Sequence, residues 1–345
     1  MSIEEVPVMN KELSYLTSLF GASGSESDVR QAIISEIRPH CDSLEVDRLG
    51  NIIAFKKGIE PAPFPVMLCA HMDEVALMVT SIDKDGSLGF ESVGGIDPRI
   101  LPGTHVVIGK KKYHGVIGVL APHFVKDGEE KVPKMKDLYI DIGAKDQEDA
   151  ENYVAVGDLI GFDTAYQEFG EDLVRAKALD DRAGCYILLN IMKKPLPFDT
   201  YFVFSVMEEI GCLGARTAAF AVQPQYALII EGTTAGDIHT ETDQSAVCRL
   251  GRGPVVSFMD NSAIYDRELY RLVMKTAKEE NIPVQAKEAV AGGNESGTVQ
   301  RALGGCRVIA LSVPCRYIHS PVSVANLKDI AHCEELAYAL LKNLL

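Results

Sequence analysis

Two adjacent acidic residues, Glu208 and Glu209, follow an apolar run at a point where the chain turns through glycine. The run reads "TYFVFSVM" and is typical of a buried strand. One carboxylate at such a position can bind a metal ion, while its unligated neighbour accepts a proton from a water molecule on that metal. This hydrolytic interpretation requires histidine and carboxylate ligands elsewhere in the chain.

Candidate ligands stand at the ends of other predicted elements. They are His71, Asp73 and Glu74 after "PVMLCA", Glu231 after "YALII", His319 after "CRVIALSVPCRY", and Asp180 with Asp181 before the helical "CYILL". Imidazole and carboxylate groups suit zinc, cobalt or manganese. A two-metal site also needs one carboxylate that bridges the ions, and either Asp180 or Asp181 could bridge.

Each of these residues also has an ordinary structural explanation. Acids before a helix interact with its dipole, so Glu208 and Glu209 do not require a metal. Asp180 and Asp181 could cap the following helix, and His319 could be a hydrogen-bonded core residue. The conjunction of all these groups at successive element ends, rather than any single residue, favours a metal site.

The elements that would position these residues form two patterns. Strands alternate with helices before residue 75 and after residue 165. This predicts an α/β fold with a mostly parallel or mixed central sheet and helices on both faces. Between these limits, short alternating runs are separated by turns, which predicts a small all-β unit. We therefore predict a catalytic domain formed by residues 1–74 and 166–345, and an inserted domain at residues 75–165.

Composition and charge exclude several classes of function. The net charge of -15 argues against nucleic acid and anionic membrane surfaces as partners. No apolar stretch reaches the ~18 residues of a membrane helix. The first residues, "MSIEEVPVMNKELSYL", do not resemble a signal peptide, so we expect a cytoplasmic protein. The eight cysteines are scattered without a CxxC pair, which predicts mostly buried free thiols rather than a cysteine zinc site or disulfides.

Four motifs, taken in order, show a resemblance to a known family. "AHMDEVALMV", "KALDDRAG", "MEEIGCLGA" and "RYIHSP" resemble the glutamyl or deblocking aminopeptidases. Members of that family are dinuclear metallopeptidases that often assemble as tetrahedral dodecamers, and some were described as endoglucanases. The resemblance spans nearly the whole chain and includes "GGIDPRILPGTHV" in the insert. It implies that a β-barrel-like dimerisation domain interrupts the catalytic domain.

The resemblance also implies a role for each matching residue. The metal ligands would be His71, Asp180, Glu209, Glu231 and His319. Asp180 would bridge the two ions, which would be zinc or cobalt, with manganese as the alternative. Asp73 would orient His71 through the second ring nitrogen. Glu208 would be the general base.

Three segments need separate comment. Glu231 stands where the family usually has aspartate, and the longer side chain changes the reach of its carboxylate. "GGNESG" at Gly292–Gly297 replaces the family's Gly-Gly-Thr-Asp-Ala in a loop that we expect to border the substrate. In the insert, "APHF" resembles a Pro-His-Leu segment of the family, so His123 either reaches a neighbouring active site or is a surface-loop histidine.

These observations predict a metal-dependent aminopeptidase that removes N-terminal residues from short peptides through a metal-bound water. We expect a homo-oligomer built from dimers, up to a dodecamer. A glycoside hydrolase of the endoglucanase type is an alternative, because paired carboxylates also cleave glycosides. A chain without tryptophan and with 7% aromatic residues is, however, poorly equipped to stack on sugars. A catalytically impaired family member that keeps the scaffold is the other alternative.

Overall fold

The architecture comes from a computed structural model, which describes residues 10–121, 132–238 and 246–344. The strands are, in chain order, β1 (Ser43–Val46), β2 (Ile52–Lys56), β3 (Val66–His71), β4 (Ala76–Ile82), β5 (Leu88–Val93), β6 (His105–Ile108), β7 (Tyr113–Val119), β8 (Leu138–Asp141), β9 (Leu159–Phe162), β10 (Gln167–Phe169), β11 (Leu173–Ala176), β12 (Thr200–Ser205), β13 (Tyr226–Thr234), β14 (Val255–Val256), β15 (Gln285–Ala286), β16 (Arg307–Arg316) and β17 (Ser323–Asn326). The α-helices are α1 (Lys11–Ser18), α2 (Ser27–Ile37), α3 (Gln147–Glu151), α4 (Leu179–Lys193), α5 (Leu213–Val222), α6 (Arg267–Glu279), α7 (Glu295–Gln300) and α8 (Leu327–Asn343).

Eleven of the strands form one mixed sheet, in which β12, β3, β13 and β16 are neighbours and run parallel. Antiparallel strands extend it on both sides, with β2 and β1 beyond β12, and β17, β11 and β10 beyond β16. The short strands β14 and β15 attach beside β16. All six residues of β3 are buried, and because alternate side chains point to opposite faces, both faces of this strand are covered. The predicted α/β fold class with a mixed sheet is confirmed.

The six strands between the two parts of this sheet form a closed barrel in the order β4, β5, β8, β7, β6, β9. They lie within the region predicted as an insert, residues 75–165. Inward-facing side chains such as Leu77, Leu88 and Ile140 are fully buried, as alternating runs predict for a barrel interior. Closure removes the exposed edges that an open sheet would leave. The short helix α3 in this otherwise β region was not predicted.

Helix α4 carries the two predicted aspartates to the edge of the sheet. The backbone of Asp180 and Asp181 is not helical, and a cis peptide bond joins the two residues. The helix packs against β3 and β13. Its first turn touches the end of β3, because the backbone N–H of His71 donates to the Asp181 carboxylate at 3.2 Å.

Two further expectations concern the whole chain. Within the described residues, no helix combines the length and the apolar character that crossing a membrane requires. The eight cysteines are all free, and six of them are buried. The prediction of mostly buried free thiols is confirmed.

Candidate metal centre

The ends of neighbouring strands meet at one edge of the large sheet. β3 ends at His71, which pairs in register with Ser205 at the end of β12. Glu208 follows β12 by three residues, and Glu231 lies in β13, on the other side of β3. Open α/β sheets bind ligands in the crevice at the carboxyl ends of such strands. The candidate ligands are therefore neighbours because of strand order, although they are far apart in the chain.

The first group of possible ligands is His71, Asp180 and Glu231, which are all buried. One ligand atom from each lies within 4.8 Å of the other two. His71 Nε2 is 3.5 Å from Asp180 Oδ1 and 3.3 Å from Glu231 Oε1. The longer Glu231 side chain thus reaches the same imidazole nitrogen as Asp180 does.

The second group is Asp180, Glu209 and His319, again within 4.8 Å of one another. His319 Nε2 lies 3.6 Å from Asp180 Oδ2 and 3.3 Å from Glu209 Oε2. Asp180 therefore directs one carboxylate oxygen to each group, which is the geometry that a bridging ligand needs. The Asp181 carboxylate instead accepts backbone N–H groups, from Gly184 at 2.9 Å and from His71.

Two buried atoms of the first group, His71 Nε2 and Glu231 Oε2, have no hydrogen-bond partner in the part of the chain that the structure describes. Leaving a buried polar atom without a partner costs roughly 1–3 kcal/mol, and more for a charged group. A divalent cation bound at this point would satisfy both atoms. Imidazole and carboxylate are also a donor set that zinc, cobalt and manganese accept. The residues at this edge therefore fit divalent cations.

The pKa values of the acidic and imidazole groups at the site are shifted, as is expected for groups that lie ready to bind a cation. Burial raises the pKa of Glu209 to about 8 and also raises that of Glu231. The adjacent Asp180 carboxylate raises the pKa of His319 to about 9. Burial acts against ionisation of Asp180, but His319 and His71 hold the pKa of its carboxyl below the usual range. At these pKa values, Glu209 and His319 are both protonated at pH 7 when no cation is bound.

Asp73 connects His71 to the glutamate pair. Its carboxylate accepts the backbone N–H groups of Glu208 at 2.9 Å and Glu209 at 3.1 Å, and the hydroxyl of Ser23 at 2.6 Å. His71 Nδ1 lies 3.1 Å from the Asp73 backbone oxygen and 3.4 Å from Asp73 Oδ1. Asp73, which was predicted to orient His71, thus contacts the second nitrogen of the imidazole ring. Of the two Asp73 oxygens near this nitrogen, the backbone carbonyl oxygen is the closer. Asp73 also fixes the turn that carries both glutamates.

Glu208 is half-buried and belongs to neither of the two groups that contain Asp180. Its carboxylate does lie within 4.8 Å of ligand atoms of His71 and Glu209. Glu208 Oε1 accepts a hydrogen bond from the Cys212 thiol at 3.2 Å. Burial raises the pKa of Glu208 to about 7. A carboxylate that lies next to the ligands, without belonging to either Asp180 group, can exchange a proton near neutral pH.

A buried ion-pair network supports the site and was not predicted. Glu74 lies outside the three candidate ligand groups. Its carboxylate accepts from Lys177 Nζ at 2.8 Å and from Arg182 Nη2 at 3.3 Å. Arg182 Nε also donates to the Met72 backbone oxygen at 2.8 Å. Lys177 and Arg182 flank the aspartates in "KALDDR", so this motif holds the segment after β3 in place as well as supplying Asp180.

Two glycines allow the chain to pass close to the ligands. Gly94, between β5 and β6 in the barrel region, has φ +91°, and a Cβ added there would lie 3.3 Å from the Glu209 Cβ. A Cβ at Gly232 would lie 2.7 Å from Asp180 Oδ1. The barrel region therefore contributes to the wall around Glu209, and larger side chains at either position would displace a ligand.

A cavity of about 190 Å³ opens beside the ligands, with Asp180, Glu208, Glu231 and His319 in its lining. The loop predicted to border the substrate supplies Gly292, Gly293 and Asn294 to the same wall. The next residue, Glu295, does not face the cavity. It is fully buried and accepts hydrogen bonds from the Ser205 hydroxyl and from the Cys69 thiol. Asp260 and Lys287 also line the cavity and were not predicted. His123, which was predicted either to reach a neighbouring active site or to lie in a surface loop, is outside the described residues.

Comparisons with known proteins agree over nearly the whole chain. The family described as M42 glutamyl aminopeptidase matches residues 50–336. The lysyl aminopeptidase of Pyrococcus furiosus is 32% identical over 333 residues, which cover 94% of each chain. The TET aminopeptidase from the marine sediment archaeon Thaumarchaeota archaeon SCGC AB-539-E09 superposes with a TM-score of 0.93 at 32% identity, covering 97% of this chain and 96% of that one. The TET1 peptidase of Pyrococcus horikoshii, which can assemble into a tetrahedron or a large octahedral shell, gives a TM-score of 0.85 at 35% identity over 96% of this chain and 98% of its own.

Proposed function

This chain belongs to the M42 glutamyl aminopeptidase family and is a metal-dependent aminopeptidase, and we propose that it uses two metal ions to remove N-terminal residues from short peptides. The observation that carries the dinuclear proposal is the position of Asp180. One of its oxygens faces His71 and the other faces His319. A single carboxylate shared by two ligand groups is what a pair of cations requires.

His71, Asp180 and Glu231 would hold one ion, and Asp180, Glu209 and His319 would hold the other. Zinc or cobalt suits this donor set, with manganese as the alternative. When bound, two divalent cations lower the pKa of a water molecule and polarise the scissile carbonyl group.

Glu208 is the general base in this proposal. Its carboxylate takes a proton from the attacking water and passes it to the leaving amine. The backbone N–H of Glu208 is held by Asp73, and its side chain is held by the Cys212 thiol. A pKa of about 7, raised by burial, suits a group that must both accept and release a proton at neutral pH.

The cavity beside the ligands would receive the N-terminal side chain of the peptide, and its volume of about 190 Å³ suits one residue. We propose that the chain forms a homo-oligomer, as its TET1 neighbour does, and that the barrel at residues 75–165 supplies the dimer contact. Exposed apolar side chains on the outer surface of the barrel, Met78, Val116 and Tyr139, support this assignment. A closed assembly would admit only short peptides.

The substitution Glu208→Gln tests the assignment of the base. We expect unchanged metal content and a loss of about 10²–10⁴-fold in kcat for aminoacyl p-nitroanilides, because the amide cannot accept the proton. Metal content is measured by atomic emission and activity by release of nitroaniline. Glu36→Gln, on the exposed face of α2, is the matched control and should leave both unchanged. Full activity of Glu208→Gln with both ions bound would show that another group is the base.

The same measurements separate the two rival functions. Hydrolysis of a glucan that survives chelation of metals would favour a glycoside hydrolase. Normal metal binding without turnover of any member of a peptide library would favour a catalytically impaired scaffold.

A further inference from the structure

Cys212 ends the turn that carries the two glutamates and stands directly before α5. Its thiol donates a hydrogen bond to Glu208 Oε1 at 3.2 Å, and its backbone N–H donates to the Glu208 backbone oxygen at 2.8 Å. One residue thus binds both the main chain and the side chain of Glu208. Within the described residues, no other group donates a hydrogen bond to the Glu208 carboxylate.

The usual structural role of a side chain at this position does not account for the thiol. A residue that precedes a helix commonly caps it by accepting a hydrogen bond from the backbone of the first turn, but Cys212 makes no such bond with α5. Its φ of +55° lies in the left-handed region, where glycine is the residue with the least strain. Neither helix capping nor backbone conformation therefore calls for a cysteine at position 212.

The thiol leaves one oxygen of the Glu208 carboxylate free. Burial raises the pKa of Cys212, so its sulfur keeps the proton that it donates at neutral pH. The hydrogen bond occupies Oε1, and the described residues offer no hydrogen-bond donor to Oε2. Glu208 lines the cavity beside the metal centre, whereas Cys212 does not. The thiol thus contacts the carboxylate without lying in the space that a substrate would occupy.

We infer that Cys212 is a positioning residue for the general base: its thiol fixes Oε1 of Glu208, so that Oε2 takes the proton of the attacking water and passes it to the leaving amine. This inference rests on the proposed function, in which Glu208 is the base. A glutamate side chain without a partner also occupies rotamers that point away from the reacting atoms. A fixed carboxylate is in the reactive position more often, which raises kcat rather than the affinity for substrate.

Three variants of the metal-loaded protein test this role: Cys212→Ala removes the donor, Cys212→Ser keeps one, and Cys41→Ala is the control. Cys41 is a half-buried thiol like Cys212, but its acceptor is the Arg38 backbone oxygen. We expect kcat for aminoacyl p-nitroanilides to fall by roughly 3- to 10-fold in Cys212→Ala, the range of one hydrogen bond. KM and metal content should stay unchanged, because Cys212 belongs neither to the cavity lining nor to the candidate ligand groups.

Cys212→Ser should recover most of the lost kcat, because a hydroxyl group also donates a hydrogen bond to a carboxylate. The control should match the wild type in kcat, KM and metal content. A fall in kcat that serine does not restore, a rise in KM of the same size, or a loss of metal would mean that Cys212 only supports the fold of the turn. An unchanged kcat in Cys212→Ala would also overturn the inference.

A spectroscopic measurement separates this inference from the proposed function. The S–H stretching band of Cys212, taken as the Raman difference between each protein and its Cys212→Ser counterpart, reports the strength of the hydrogen bond that the thiol donates. In Glu208→Met, which removes the acceptor, this band should move to higher wavenumber, while the band of Cys41 should not move. If no anilide is cleaved but the Cys212 band moves, the proposed function fails while the contact between the thiol and Glu208 stands. A Cys212 band that does not move overturns the inference even in an active enzyme.

Discussion

The barrel interior and the ligand-bearing edge of the large sheet satisfy their buried groups in opposite ways. From Val75 to Phe162, every buried residue that the structure describes is apolar or glycine. At the sheet edge, the buried residues include His71, Asp180 and Glu231, and two of their polar atoms have no hydrogen-bond partner among the residues that the structure describes. The barrel therefore needs only its own side chains, whereas the edge leaves polar atoms that the proposed cations would satisfy.

This difference shows how a site is held in place although the burial of its charged groups costs free energy. The pairs formed by Glu74 with Lys177 and Arg182 are buried and internally satisfied, and Asp73 accepts hydrogen bonds from the turn after β12. These neighbours fix the backbone on which the ligands stand. Burial of charge is thus confined to groups that either have partners or face the proposed metal positions.

Paired histidine substitutions test the comparison most strongly. His71→Ala removes a proposed ligand, and we expect a loss of roughly a thousandfold in kcat/KM together with loss of metal, because several kcal/mol of electrostatic stabilisation are removed. His114→Ala, in the barrel, changes a side chain that is 78% exposed and should leave metal content and kcat/KM unchanged. If both variants lose metal equally, the contrast between the two regions is wrong.

A truncation in the barrel core tests its dependence on packing. Leu88 is fully buried in β5, so Leu88→Ala should lower the free energy of unfolding by about 2–5 kcal/mol through lost burial and the cavity left behind. Ser92→Ala, at an exposed position in the same strand, should change it by less than about 0.5 kcal/mol. Urea unfolding with and without added zinc measures both. Rescue of Leu88→Ala by zinc would contradict the independence of the barrel.

Glu295 offers a smaller test at the sheet edge, because it is buried without facing the proposed metal positions. Its carboxyl group accepts from Ser205 and from Cys69, and an amide would place an N–H against one of these donors. We expect Glu295→Gln to cost about 1–3 kcal/mol of unfolding free energy while the number of bound metal ions stays the same. Glu91→Gln, exposed on β5, is the control. Loss of metal in Glu295→Gln would assign it to the metal site instead.

A pH dependence of metal affinity is expected at the sheet edge alone. The adjacent Asp180 carboxylate raises the pKa of His319 to about 9, and burial raises that of Glu209 to about 8, so both hold protons at pH 7 without metal. Metal ligands must be deprotonated, so binding releases protons and affinity should rise from pH 6 to 8, roughly tenfold per pH unit for each proton displaced. Competition with a chromogenic chelator measures this affinity. Affinity that is independent of pH would contradict the raised pKa values.

Much of the candidate site follows from residue types and element ends. His71, Glu209 and Glu231 stand at or just beyond predicted strands, and the carboxyl ends of neighbouring strands share one crevice. The sequence left Asp180 and Asp181 equivalent as bridging residues until the family resemblance favoured Asp180. Their side chains point to different partners, and that direction depends on how the start of α4 meets the ends of β3 and β13.

Other residues could not be assigned because their partners are distant in the chain. Glu295 lies in the loop predicted to border the substrate, yet it is buried between β3 and β12. Lys287 follows a two-residue strand and carries no motif, and only the folded chain places it in the cavity. Glu74 was grouped with the candidate ligands, but Lys177 and Arg182 bind its carboxylate.

The sequence by itself determined the fold class, the barrel-forming alternation and the residue types of the metal centre, because periodic burial and turn residues act locally along the chain. Only the tertiary structure decided which carboxylate oxygens face which histidines, which acids form ion pairs with neighbouring side chains, and which basic side chain lies in the lining of the cavity. Those outcomes depend on distances of a few ångströms between segments that are tens to more than a hundred residues apart, and no local pattern encodes such distances.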